Sequence, residues 1–499
     1  MSGDIDVVIP CFNGARYLAQ TLDSVLAQTE PDVRVLVVDD GSTDASKAIV
    51  ARYAGRVDYV YQPNAGQAAA RNHGLRRTSR PFVCLLDADD LLVPDALERL
   101  RARLLAEPDL AACHGKTLEF RDEDLAHPRA ESWRPFAHWS DPLEPFSILC
   151  AVDICSVLFR RETLVAHGGF PEDRAIQGCE DWSFWLHATS GGAKLAAIDT
   201  VTLLYRRHAG ASSANRRRVA VRESELMRRA ATLFSARLDH ADRRHAFLDV
   251  GLKATALRWW WLGERAAFEE IAVLARTTVD SDHRDPALDR SFETPEHLGG
   301  QVLHLLLADR LLALSNPLLA TILLLRARDV RRLRARARRA GFEAALDRVL
   351  ATLAAYEAAV PLELPQQAER SKVSGLPEHA STVSELRYQF GLDALGRGAK
   401  DEAARHFERA LASDPHFAVA RLGLTRARWR TASARRDWAA AVAALRADPE
   451  RGIEHLLPVD ADDPIVGPLF VKLATEGRRR ADIAEAVRSL ARFGGRSRT

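Results

Sequence analysis

Four short apolar runs, at residues 5–10, 33–38, 57–61 and 82–86, alternate with segments opening at Ala15, Thr43 and Ala65 whose apolar residues recur at helical spacing. A strand that reaches its neighbour through a helix runs parallel to it, so this rhythm predicts βαβ units and a parallel sheet. The fourth run continues as Leu85-Leu86-Asp87-Ala88-Asp89-Asp90, which puts three carboxylates at the carboxyl end of a buried strand. Open α/β sheets bind their ligands at that end. Like charges crowded there repel unless a proton or a cation relieves them, and an Asp-x-Asp pair offers the oxygen donors that a divalent ion takes. The competing reading is that Asp89, Asp90 and Asp95 cap the helix beginning near Pro94.

At 499 residues the chain is too long for one ordinary core, and about three domains are expected. Lys plus Arg total 70 against 68 Asp plus Glu, a balance that gives no case for a nucleic-acid partner. The six cysteines (Cys11, Cys84, Cys113, Cys150, Cys155, Cys179) include no Cys-x-x-Cys pair, so free and mostly buried thiols are expected. The chain opens Met-Ser-Gly-Asp and enters a strand at once, which predicts a cytoplasmic protein without a signal peptide. The Leu-rich residues 303–325 are interrupted by Asp309, Arg310, Asn316 and Pro317, leaving no apolar run long enough to span a bilayer.

Further strands are expected at 111–118 and 156–160, with a turn at Gly168-Gly169-Phe170 and a helix from about Glu180. Between them, Trp133, Pro135, Trp139, Pro142 and Pro145 break regular structure and suit a pocket wall or lid. From about Ala214 the composition is that of a helical chain. Residues 365–383 read as a linker. Beyond it, Gly391, Ala394, Ala403, Phe407, Ala410 and Pro415 fall where a 34-residue tetratricopeptide repeat places its markers, and Ala444 and Pro449 repeat two of them one period later. The expected domains are therefore 1–213, 214–364 and 384–499, with the linker between the last two.

Five ordered segments lie within residues 4–210. They are Val7-Val8-Ile9-Pro10-Cys11-Phe12-Asn13-Gly14, Val38-Asp39-Asp40-Gly41-Ser42-Thr43-Asp44, the stretch from Asn64 to Gly74, Asp87-Ala88-Asp89, and Gly168-Gly169-Phe170-Pro171 followed by Gly178-Cys179-Glu180-Asp181-Trp182. Together they resemble the family-2 glycosyltransferases, whose catalytic domain has the GT-A fold, Rossmann-like with a mostly parallel sheet. The resemblance implies an α/β catalytic domain followed by an all-α region with tetratricopeptide-like repeats. It implies a nucleotide-diphosphate sugar donor, with Pro10, Phe12, Asp39 and Asp40 around its base and ribose. Carboxylates suit that task, because they accept hydrogen bonds from an imide N–H or from ribose hydroxyls. Asp87-Ala88-Asp89 matches the metal motif, which implies that Asp89 ligates Mn2+ or Mg2+ with Asp87 helping through the ribose or the metal; His208, in Tyr205-Arg206-Arg207-His208, either completes the metal shell or contacts the diphosphate. Arg71 either faces the phosphates or pairs with a strand-end Asp. Asp181 is assigned as the base that deprotonates the acceptor hydroxyl, with Glu180 as the alternative; the competing reading for both is a helix first turn, which favours acids. Asn13 is a candidate helix cap. Trp182 and Trp185 stack on a sugar or pack the core.

The chain departs from the family's processive synthases in having no Gln-x-x-Arg-Trp segment, which favours single addition over polymerisation. The Arg-rich residues 326–339 follow the apolar 318–325; a peripheral contact with an anionic membrane is weighed there against a solvated helix with local ion pairs, and the spread of Arg around the helix favours the latter. The expectation is an inverting, metal-dependent hexosyltransferase-type enzyme acting on a glycan, lipid-linked or protein hydroxyl in surface polysaccharide or glycoconjugate synthesis, with a protein partner on its repeat region. The alternative is a non-catalytic scaffold whose repeat region does the work.

Overall fold

The computed structural model describes residues 4–121, 141–208, 215–325, 330–359 and 382–413, with residues 420, 423, 424 and 427. It divides into two compact units, the first reaching Glu293 and the second beginning at Thr294.

The first unit is built on one sheet whose strands are β1 (Ile5–Cys11), β2 (Arg34–Asp39), β3 (Val57–Tyr61), β4 (Phe82–Leu85), β5 (Leu91–Leu92), β6 (Ala112–Arg121), β7 (Val157–Arg160) and β8 (Leu195–Arg207). Their order is β3-β2-β1-β4-β7-β6-β8-β5. The first four strands run parallel, as their connecting helices α1 (Leu18–Leu26), α2 (Ser46–Ala51) and α3 (Gln67–Leu75) require. Helix α4 (Ala96–Ala106) follows β5. β1 is buried along its whole length, as a strand covered on both faces must be. Strand ends meet in register: Cys11 lies opposite Asp39, and Asp39 opposite Tyr61.

Two pairings not anticipated from the sequence complete the site. β7 runs antiparallel to β4, with Cys84 opposite Leu158, so continuing that register brings residue 155 toward residue 87. β5 runs antiparallel to the long β8, with Leu91 opposite Leu204, which turns the 87–90 acids toward residues 205–208. The two-residue β5 is too short to show a strand period, and although Gly191-Gly192 mark a turn before β8, nothing local names its partner strand.

Helix α3 lies low on the sheet because Gly74 has no side chain: a Cβ there stands 2.2 Å from Val8 Cγ1. Residues 67 and 71 share the inward face of α3 with Gly74 and are carried to the strand ends. Helices α5 (Leu143–Phe146), α6 (Arg161–Ala166) and α7 (Glu180–Ser190) pack beside β7, and Trp185 stacks on Phe146 and Phe159 with ring centroids 5.4 and 5.2 Å apart. Trp182 donates its indole N–H to the Phe146 carbonyl. Both tryptophans are core residues. Asn13 does not cap α1; its side chain accepts from the Thr43 N–H at 2.9 Å and ties the two loops together.

Helices α8 (Arg216–Arg237), α9 (Arg244–Leu262), α10 (Arg265–Thr278) and α11 (Pro286–Glu293) complete this unit. Lys253 on α9 is fully buried and pairs with Asp249 and, at 2.8 Å, with Asp289 of α11. α9 touches α5 where Gly251 meets the Ser147 carbonyl.

In the second unit, α12 (Pro295–Ala313), α13 (Pro317–Leu325), α14 (Val330–Arg339) and α15 (Glu343–Ala359) pack with the hairpin α16 (Thr382–Gly396) and α17 (Lys400–Ser413). Ala394, Ala403, Phe407 and Ala410 are buried in that hairpin. Arg334 of the basic stripe pairs with Asp393 at 2.6 Å and Asp347 at 2.7 Å, and Arg338 with Glu343 at 2.6 Å. Among the described residues no helix is long and apolar enough to cross a membrane. The expected linker over 365–381, Trp133, Pro135, Trp139, Pro415, Ala444 and Pro449 lie outside the described residues.

A Cβ at position 251 stands 1.9 Å from the Ser147 backbone oxygen, an atom that no rotamer change can move. Gly251→Ala is therefore expected to lose about 1–3 kcal/mol of stability through overpacking, read from the midpoint of urea unfolding; an unchanged midpoint contradicts this account of the α5/α9 contact.

Candidate active site

The acids at the carboxyl end of the sheet are held by one guanidinium. Arg71, fully buried on α3, donates to Asp87 Oδ1 at 2.8 Å and to Glu180 Oε1 at 3.0 Å. One turn earlier on the same helix face, Gln67 donates to the same Asp87 oxygen at 2.7 Å. The two carboxylates raise the affinity of the guanidinium for its proton enough to overcome its burial, so Arg71 stays charged. Of the two readings open for Arg71, the pairing with a strand-end Asp is the one observed. The adjacent Asn72 clamps the loop before α7, donating to the Phe170 carbonyl at 2.7 Å and accepting from the Phe170 N–H at 2.8 Å.

Glu180 and Asp181 open α7 in different surroundings. Glu180 is 1% exposed; its second oxygen accepts from the Gly178 N–H, and burial pushes its pKa up against the pull of Arg71. Asp181 is half-buried and accepts from the Cys150 thiol at 3.6 Å and from the Trp182 N–H at 2.8 Å.

On the other side of Asp87, Asp89 Oδ2 and His208 Nε2 lie 2.8 Å apart. The sequence separates these two by 119 residues; the β5/β8 pairing unites them. Burial and then the Asp87 charge push the Asp89 pKa up. Asp90 is 1% exposed and accepts from the Arg206 N–H at 2.9 Å, while its Oδ2 is buried with no hydrogen-bond partner. Burial, Asp89 and Asp87 together push Asp90 well above the usual carboxylate range. Arg206 donates to the Asp89 carbonyl at 2.7 Å and to Gln20 at 2.6 Å, and its guanidinium sits 4.5 Å from the Tyr17 and Phe120 ring centroids. This buried, oxygen-rich group with an orphaned carboxylate oxygen suits a divalent cation, since a cation relieves both the repulsion and the missing bond.

The adjoining strand ends form a second half of the site. Phe12 is 54% exposed just past β1, whose Pro10 is buried. Asp39 accepts from the Ser42 N–H at 2.8 Å and from the Tyr59 hydroxyl at 2.6 Å, one bond to each oxygen, so both oxygens keep acceptor capacity. Asp40 serves the protein instead: it accepts from Gln62 at 2.7 Å and from the N–H groups of Ala65 and Gly66 at 2.8 and 2.9 Å, shaping the loop that starts α3. Sequence reasoning passed over Gln67, Arg206, Cys150 and Cys155. Gln67 lies inside a segment singled out for its small residues, but Cys150 and Cys155 carried no spacing signal.

The sequence profile of the family described as glycosyl transferase family 2 matches residues 6–164. Those residues are a family-2 glycosyltransferase domain. The sheet of the first unit accordingly has the GT-A fold, and the rest of the described chain is helical. The chain is 39% identical over 104 residues to the glycosyltransferase GlyA of Streptococcus pneumoniae serotype 4, covering 20% of this chain and 15% of that protein. It is 39% identical over 100 residues to the uncharacterized glycosyltransferase alr2836 of Nostoc, covering 19% of this chain and 31% of that protein. The chain thus spans less than a third of either relative. Among solved structures, Staphylococcus aureus TarS 1-349 in complex with UDP-GlcNAc is 19% identical with a TM-score of 0.46, covering 66% of this chain and 92% of that one.

Because Asp90 is held protonated to higher pH in the folded chain than in the unfolded one, its contribution is fully present below the unfolded pKa and is lost as pH rises through the raised folded value. In chelator-treated protein, the Tm of Asp90→Asn relative to wild type is therefore expected to climb as pH rises above the usual carboxylate range. A difference that does not change with pH contradicts the assignment of Asp90 as a buried, repelled acid.

Proposed function

We propose that this chain transfers a single sugar from a nucleoside-diphosphate sugar to an acceptor hydroxyl, with inversion at the anomeric carbon. The observation that supports the reading best is Arg71, whose one guanidinium joins the strand-end acid Asp87 to the helix acid Glu180. Metal-motif and base-bearing elements thereby share one cleft.

Phe12 offers an exposed ring for the donor's base, and the spare acceptor capacity of Asp39 suits an imide N–H or ribose hydroxyl. Asp40, with both oxygens engaged, acts by positioning the loop over residues 62–66. Asp87, Asp89 and His208 would hold a divalent ion, Mn2+ or Mg2+. That ion, when bound, stabilises the negative charge that develops on the departing diphosphate. Asp89 keeps its orientation through His208 and, by its backbone carbonyl, through Arg206.

Of the two acids on α7, Asp181 fits the base better. It is half-buried and carries no ion pair among the described residues, whereas Glu180 is enclosed and bound to Arg71. Asp181 accepts the proton of the acceptor hydroxyl as the oxygen attacks the anomeric carbon from the face opposite the leaving diphosphate. Glu180 fixes the start of α7, and Cys150 orients the Asp181 carboxylate by its S–H bond. The acceptor hydroxyl belongs to a glycan, a lipid-linked glycan or a protein, with a role in surface polysaccharide or glycoconjugate synthesis. A protein partner is proposed for the tetratricopeptide-like hairpin of α16 and α17, whose buried Ala394, Ala403, Phe407 and Ala410 match the repeat's packing positions.

Thermal shift against a panel of nucleoside diphosphates, with and without Mn2+, tests the donor site. One nucleotide should raise Tm only with metal, by the equivalent of about 2.7 kcal/mol at 100 times its dissociation constant, and Asp89→Ala should abolish the shift. No shift with any nucleotide sinks the reading. Asp181→Asn should lower kcat by about 10²–10⁴-fold with donor binding unchanged; retention of turnover removes Asp181 as the base.

A further inference from the structure

The arginines of α8 fall into two groups. Arg217 pairs with Glu264 at 2.9 Å, Arg229 pairs with Asp173 at 2.6 Å, and Arg237 donates to the His187 carbonyl at 3.0 Å. Arg218 and Arg222, one turn apart on a single face of the helix, carry no side-chain hydrogen bond or ion pair among the described residues. The acids nearest them in sequence are engaged elsewhere, Glu223 with Arg258 at 2.6 Å and Glu225 with Arg229 at 2.8 Å. Like charges at this spacing repel, and cations near a helix N-terminus are disfavoured, so the stability of α8 does not account for the pair. Their position does: Arg222 is half-buried, and its Nη1 stands 3.0 Å from where a Cβ on Gly178 would lie. Gly178 in turn donates its N–H to Glu180, at the start of α7. The far end of α8 meets the far end of α7 through Arg237, so the two helices run in the same direction. The residues of α8 before Arg222 therefore run on past the start of α7, where Asp181 lies, and the exposed Arg218 sits on that overhang.

We propose that Arg218 and Arg222 bind a phosphate group of the acceptor, so that this chain glycosylates a hydroxyl of a phosphate-bearing molecule. The inference rests on the proposed role of Asp181, because the acceptor hydroxyl must come to that carboxylate. Each guanidinium is a planar fork that gives two parallel hydrogen bonds to phosphate oxygens. Two such forks match a group that carries up to two negative charges, whereas a carboxylate is satisfied by one. The shared anion also removes the repulsion between Arg218 and Arg222. Held by its phosphate on α8, the acceptor presents its hydroxyl at the start of α7 with less freedom to lose before it attacks.

The test titrates the full chain at low ionic strength with glycerol 3-phosphate, a small molecule that joins hydroxyls to a phosphate, and with glycerol, using calorimetry. Wild type should bind glycerol 3-phosphate and not glycerol. The double variant Arg218→Ala with Arg222→Ala should bind it at least about tenfold more weakly. Arg216→Ala, which removes an equal charge from another face of α8, should bind it as wild type does. No binding by wild type, undiminished binding by the double variant, or an equal loss in Arg216→Ala overturns the proposal. Should the double variant fail to fold, Arg218→Ala alone decides by the same titration, since Arg218 is exposed. The Mn2+-dependent Tm shift with nucleoside diphosphate should be the same in the double variant as in wild type. A smaller shift there assigns the two arginines to the donor's diphosphate and overturns the acceptor role. A wild type that binds glycerol 3-phosphate through these arginines, yet shifts with no nucleotide, sinks the glycosyltransferase reading and leaves the phosphate site standing.

Discussion

Everything at the working end of the first unit depends on a buried positive charge. One guanidinium brings Asp87 and Glu180 together from distant parts of the sequence: Asp87 lies 16 residues from Arg71, and Glu180 lies 109 away. Two carboxylates drawn out of water at such proximity cost several kcal/mol each without a counter-charge. The planar fork of one guanidinium meets both, where a lysine ammonium offers no such fixed geometry. Among the described residues no guanidinium pairs with the side chains of the neighbouring Asp89 and Asp90, and burial, then the charges of neighbouring acids, makes these carboxyl groups hold protons more tightly than usual. Mutually repelling acids beside the pair that Arg71 bridges suit a cation, which relieves the repulsion that a bound proton otherwise relieves.

The placement of Arg71 is itself a packing result. Gly74 lets α3 descend onto Val8, and Gln67 and Arg71 ride on the same face to the strand ends. Helix α7 is held in an analogous way from the opposite side. Trp182 and Trp185 anchor α7 on Phe146, and α5 is in turn braced by α9 through the close approach at Gly251. Helices α8 to α11 thus belong to the same compact unit as the sheet, with the fully buried Lys253 pairing to Asp249 and Asp289 among them. Such a buried network gives its helices one register, because any other arrangement strands a charge away from water.

The second unit shows the same economy with arginine at a half-buried surface. The run of arginines that invites a membrane reading resolves, at Arg334 and Arg338, into ion pairs with Asp393, Asp347 and Glu343. Arg334 joins α14 to both α15 and α16, so part of the stripe is internal mortar. Ala394, Ala403, Phe407 and Ala410 are buried in the hairpin of α16 and α17.

The alternation of apolar runs determined β1 to β4 and the parallel sheet, because strand and helix periods are local and each run carries its own signal. The strand-end acids Asp39, Asp87 and Asp89 and the acids opening α7 were legible for the same reason: they directly follow or begin an element. What each carboxylate does was not legible. That Asp40 turns inward, that Glu180 rather than Asp181 takes the guanidinium, and that His208 meets Asp89 across 119 residues depend on the β4/β7 and β5/β8 registers and on how low α3 sits. Those are long-range pairings, decided by which strand edges and helix faces are left to bury once the local elements have formed. The residues thus determined where chemistry can occur, and only the tertiary structure decided which atoms face the cleft, since burial and hydrogen-bond partners are properties of the packed chain.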